Sequence, residues 1–227
     1  MELTTEARIL LAFYRLLGEE SGDLQLVAQG EGDDDVAYLA LTRGARQAQR
    51  WMLDMGYGGW RQRSSALSWS GTDSTTGGTY SALPTDWLKL YGNFRRSALV
   101  EANGDRWGQE INPEDDHLKG NLYYVRGEQI WLARTASPPT TLYVDYHYKH
   151  PTFASGITVD FPMDARSLIV GEAGVAAMDE NWLLGGPEME AKILAFLERA
   201  REQARHIARA TKQPRQMRKP LRVGNRY

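Results

Sequence analysis

Asp145, His147 and His150 bring a carboxylate and two imidazoles into one short stretch, the residue types nearest to a metal site in this chain. Their spacing argues against a shared ion. Side chains at 147 and 150 of a strand point to opposite faces, so a common metal would require the strand to end between them. They read as surface or strand-end histidines. Asp33-Asp34-Asp35 follows Gly30-Glu31-Gly32 as if to open a calcium loop, yet no bidentate glutamate comes at the required distance, and a helix cap accounts for the run better. Asp115-Asp116-His117 has the ingredients of acid–base work but lies in a polar turn after Pro113, with no nucleophile tied to it. Without cysteine, no disulfide, thiolate nucleophile or cysteine-bound metal is possible. Gly56, Gly58 and Gly59 follow a helix rather than opening one, and so read as a breaker and not a phosphate cradle. The expectation is a protein with no catalytic residues, no cofactor and no metal.

Two features remain. Seven tryptophans and eleven tyrosines could stack on single-stranded nucleic acid, although anchoring a core or an interface is the commoner use. The second is a charge asymmetry hidden under a net −2. Glu202 is the last acidic residue, and eight Lys or Arg follow from Gln203 onward, which divides the chain into a body of −10 and a tail of +8. In the tail, Lys212, Arg215, Arg218, Lys219, Arg222 and Arg226 are interleaved with Met217, Leu221, Val223 and Tyr227. That mixture suits docking on a protein surface first and on phosphate second.

The elements that position these residues follow from periodicity. Thr4 caps a first helix carrying Leu10, Leu11, Tyr14 and Leu17, and Gly18 ends it. Asp33–Asp35 starts a second, reaching about Met55, whose face of Ala37, Leu41, Gly44, Ala48, Trp51, Met52 and Met55 contains small residues that admit a close neighbour. From Trp60 to Trp69 the pattern alternates like a strand, and residues 71–79 read as a loop. Strands are expected at Leu88–Tyr91, Ala98–Glu101, Leu122–Val125, Gln129–Ala133 and Thr141–Tyr148, forming a small antiparallel sheet. Helical period returns after Pro162, and Pro187 opens a fourth helix running past Arg205. The fold class is α+β. Residues 1–58 and 162–211 form a helical bundle, 59–161 a β-rich insertion, and 212–227 an extended basic arm.

At 42% hydrophobic and 25% charged residues the chain is globular. It shows neither a signal-peptide pattern nor an apolar run of the roughly 20 residues that span a bilayer, so a cytosolic product without a membrane partner is expected.

Two stretches resemble the adaptor, or neck, proteins of tailed bacteriophages. Glu31-Gly32-Asp33-Asp34-Asp35-Val36-Ala37, leading through Ala45-Arg46-Gln47-Ala48-Gln49-Arg50 to Gly59-Trp60, looks like the opening of the tail tubular protein A family of short-tailed phages. Leu83-Pro84-Thr85-Asp86-Trp87, then Leu122 to Leu132 with Arg126-Gly127-Glu128 at its turn, then Thr141 to Tyr148, is similar to the strand order of phage connectors. The resemblance implies a ring, usually of twelve copies, beneath the portal protein, extending the channel for double-stranded DNA and receiving the next tail component, be it nozzle, stopper or tail tube. It also implies that the arm, through Lys212, Arg215, Met217, Arg218, Lys219, Leu221, Arg222, Arg226 and Tyr227, grips the portal. An acidic body suits such a channel, whose wall would not hold back phosphate. The alternatives are a stopper or tail-tube ring component, and a DNA-binding packaging or regulatory factor using the basic arm.

Overall fold

The computed structural model describes residues 4–18, 33–72, 79–92, 97–115, 118–133, 136–180, 182 and 186–211. The fold is α+β, with two compact units: Met1–Gly58 together with His150–Tyr227, and Gly59–Lys149.

Among the described residues the first unit contains four α-helices, α1 (Thr5–Leu17), α2 (Asp33–Asp54), α3 (Arg166–Asp179) and α4 (Pro187–Thr211). Helix α1 starts where Thr4 Oγ1 accepts the Ala7 N–H at 3.2 Å, and it stops at Gly18, which takes the left-handed φ of 91° that glycine adopts without penalty. On α2, Ala37, Leu41, Gly44, Ala48 and Met52 are buried as expected, whereas Trp51 is half-buried and Met55 is 40% exposed. The helix ends at Asp54, and Gly56 turns the chain at φ 95°, which puts Met55 beyond the last turn. Gly44 is where α2 meets α3: a Cβ there would sit 2.5 Å from the Ala173 nitrogen and 2.6 Å from the Ile169 carbonyl oxygen. Ile193, Leu197, Ala200, Ala204 and Ala208 make the buried stripe of α4, and Gly174 leaves room for Ile193. Each fully buried Leu or Ile of this core contributes about 1.5–3 kcal/mol.

The β-rich unit ends at Lys149, not at residue 161 as expected. Three backbone N–H groups explain the difference. His150 donates to Gln49 Oε1 (2.7 Å), Phe153 to Thr42 Oγ1 (2.9 Å) and Gly156 to Glu6 Oε2 (3.3 Å), which ties 150–156 to α1 and α2. The acceptors are buried, so the segment satisfies donors and acceptors that water cannot reach.

Among the described residues the second unit has two sheets where one was expected. In the first, β9 (Leu142–Tyr148) is central. It pairs on one edge with β1 (Arg61–Arg63), and on the other with β4 (Trp87–Leu90) and β5 (Leu99–Glu101). The second sheet runs β2 (Ser70–Thr72), β3 (Thr79–Ala82), β8 (Gln129–Leu132), β7 (Leu122–Arg126) and β6 (Gln109–Glu110). Its β6–β7 pair is parallel, against the expectation of a wholly antiparallel sheet. Ser70–Thr72 and Thr79, assigned from sequence to a loop or its flank, are strand residues, while 73–78 lie outside the described residues. The strand expected over 60–69 is regular only at 61–63, because Ser64 Oγ accepts the Val144 N–H at 3.0 Å and replaces a ladder bond with a side-chain one. Leu90, Leu99, Leu142, Val144 and Tyr146 of the first sheet and Tyr123, Ile130 and Leu132 of the second share one core.

Candidate functional site

Strand β9 alternates strictly. Leu142, Val144 and Tyr146 enter the core, so Tyr143, Asp145 and His147 stand on the opposite face. Register then decides what they meet: Arg63 lies opposite Asp145, and Arg61 and Lys89 lie opposite His147 from either side. Arg106 joins the same face through its bridge to Val100, the partner of Tyr143.

Asp145 is the hub. Its side chain is 5% exposed and accepts from Arg63 Nε at 2.8 Å and pairs with Arg106 Nη2 at 2.7 Å, with Arg61 Nη2 at 3.9 Å. Burial by itself would raise the carboxyl, but the hydrogen bonds and charges of Arg63 and Arg106 outweigh it and hold Asp145 below the usual carboxylate range. Arg106 also donates to the Ser97 carbonyl at 3.1 Å, and Arg61 lies 3.5 Å over the Tyr91 ring. These bonds fix the guanidinium planes while leaving Arg63 about half exposed. The arrangement can hold an anion in a set orientation; it carries no nucleophile.

The residues singled out from sequence do not come together. His147 is buried and not at the surface: its Nδ1 is 2.9 Å from the Gly59 carbonyl, which only accepts, so Nδ1 carries the proton. His150 is likewise buried, its Nδ1 donating to the Pro151 carbonyl at 2.7 Å and its ring stacked on Phe153. Burial depresses the pKa of both, and Arg61 and Lys89 push His147 down further. Among the described residues no group of three or more His, Asp or Glu is placed to hold a metal. Asp115 ends a single 3-10 turn, and Asp116 and His117 lie outside the described residues. Asp33–Asp35 opens α2. Tyr80, Trp131 and Tyr124 form a cross-strand stack on the second sheet, with ring centroids 4.6 and 6.3 Å apart. The arm residues Lys212, Arg215, Met217, Arg218, Lys219, Leu221, Arg222, Arg226 and Tyr227 all lie outside the described residues.

The arginine cluster was not anticipated. Its signal was the Arg61-Gln62-Arg63 alternation, which sets two cations on one face of a strand; the carboxylate between them is 82 residues away in sequence and reachable only through register.

Comparison of the chain with protein-family models found no match. Comparison with curated proteins likewise found none.

Proposed function

We propose that this chain is a head-to-tail adaptor of a tailed bacteriophage, a structural virion subunit that forms a ring, of twelve copies in the pattern of its resemblance, below the portal. In this reading the helices from both ends of the chain make a bundle that forms the ring body. The ring offers a docking surface to the next tail component, and the C-terminal arm docks on the portal. Double-stranded DNA passes through the ring without sequence recognition. The subunit performs no catalysis and uses no cofactor.

The observation that carries the reading is what happens to the motif residues. Leu83-Pro84-Thr85-Asp86 forms the turn into β4, where Trp87 N–H returns to the Pro84 carbonyl at 3.0 Å and Asp86 accepts from Tyr146 Oη at 2.9 Å. Arg126-Gly127-Glu128 turns the β7–β8 hairpin, with Gly127 at φ 62°. The second of the stretches that prompted the resemblance is thus part of one unit, flanked in sequence by α1 and α2 before, α2 carrying most of the first stretch, and by α3 and α4 after.

The test mixes portal-bearing capsids with the intact chain and with a chain ending at Thr211, over a salt series. Retention of the intact chain alone, little changed by salt, is the expected result. Equal retention of both would remove the arm from its role. Failure of both, with steeply salt-dependent DNA binding by the intact chain, would replace the adaptor with a DNA-binding factor.

A further inference from the structure

The outer face of the first sheet collects charge that the unit as a whole does not have. Residues 59–149 contain ten Lys or Arg and ten Asp or Glu, a neutral balance. On this one face, register gathers Arg61, Arg63, Lys89 and Arg106 around a single carboxylate, Asp145, leaving an excess of three positive charges. Two partners have the complementary charge, an acidic protein surface and the phosphodiester backbone. Composition separates them. The buried centre of a protein interface is enriched in apolar and aromatic groups and depleted of charge, whereas a nucleic-acid interface is more polar and strongly positive. The exposed large hydrophobic residues among those described are Leu39, Met55, Leu118, Met163 and Leu194, none of which belongs to β1, β4, β5 or β9.

We infer that this face binds the phosphate backbone of double-stranded DNA, independently of sequence. Three of its four cations are arginines, whose planar forks match phosphate oxygens, and Asp145 supplies the anchor that keeps Arg63 and Arg106 from collapsing. Tyr91, under Arg61, fixes a third guanidinium. Four cations make a small set of phosphate contacts, which steadies a duplex without trapping it, and the excess acid of the chain lies elsewhere, in 1–58 and 150–211. The adaptor reading supplies the duplex as the polyanion at hand; the face itself is argued from register and charge.

The experiment measures fluorescence anisotropy of two mixed-sequence DNA duplexes with the full-length chain across a salt series. Arg61→Gln/Lys89→Gln changes two exposed cations and leaves the Arg63 and Arg106 bonds to Asp145 in place. Lys119→Gln/Arg126→Gln is the control in the same unit, and Arg61→Lys/Lys89→Arg preserves the charge. Each phosphate contact on a B-form duplex contributes about 0.9 to the slope of log K against log salt, so the first variant should be shallower by about 1.8. The control and the charge-preserving variant should match the parent on both duplexes. An unchanged slope in the first variant, an equal change in the control, or binding to polyglutamate but not to duplex would overturn the inference. Portal retention is read separately, so a parent chain that occupies portals but does not bind duplex defeats this inference alone, and one that binds duplex but leaves portals bare defeats the adaptor reading alone.

Discussion

Gly44→Ala adds one methyl group at the closest approach of two helices. In an isolated helix the change would stabilise by about 1 kcal/mol, because alanine loses less backbone freedom. Here the new carbon would stand 2.5 Å from the Ala173 nitrogen, 2.6 Å from the Ile169 oxygen and 2.8 Å from the Ala173 Cα, all backbone atoms that no rotamer change can move. Helix α3 as a whole must retreat, which places the substitution near the upper end of overpacking costs, about 3 kcal/mol. The difference is a net loss of about 2 kcal/mol, or a fall in Tm of about 4–8 °C for a chain of this size. Gly174→Ala supplies an internal scale. Its Cβ meets the Ile193 Cγ2 methyl at 2.8 Å, a side-chain end that can turn aside, so gain and cost should nearly cancel. Thermal unfolding followed by circular dichroism measures both. A Gly44→Ala chain as stable as the parent would refute the backbone contact between α2 and α3.

Asp145→Asn should cost about 2 kcal/mol by chemical denaturation, less than a dry ion pair would lose because Arg63 and Arg61 are partly exposed. Because the folded carboxyl is held low, its contribution is complete above the unfolded carboxylate value and disappears as pH falls through the folded one; the parent should weaken in that acidic window, and the asparagine variant should lack that part of the loss. His150 acts in the same direction in a higher pH window: burial holds its folded pKa below the ordinary 6.5, so stability declines as pH drops from 6.5 towards that value, and His150→Phe should flatten this stretch of the pH profile. Tyr146 is raised to about 12 by burial and then by its bond to Asp86, so Tyr146→Phe should cost about 1 kcal/mol and remove from an absorbance titration a tyrosine that ionises above the ordinary range.

The helices were legible because their signals are local. Thr4 and Gly18 bracket α1, Pro187 opens α4, and Gly44 marks a close contact within an otherwise ordinary apolar face. Most strands were legible to within a residue or two for the same reason: Leu142–Tyr148 alternates between core and outer face as its sequence does. What failed was long-range. Nothing in Gln109-Glu110 announces a parallel edge strand, and no period could reveal that Ser64 would trade a ladder bond for a hydroxyl. The end of the β unit was missed because the donors of His150, Phe153 and Gly156 find acceptors on helices more than a hundred residues earlier. The arginine cluster failed likewise: Arg61, Lys89, Arg106 and Asp145 share a face only after four segments have paired.

The most direct measurement of the adaptor role is electron microscopy of portal-bearing capsids incubated with the full-length chain. The account predicts a closed ring below the portal, with the chain's C-terminal end in contact with portal subunits and the duplex path running through its centre. Portals left bare under conditions where the chain is folded, or copies bound singly along DNA with no ring, would contradict it.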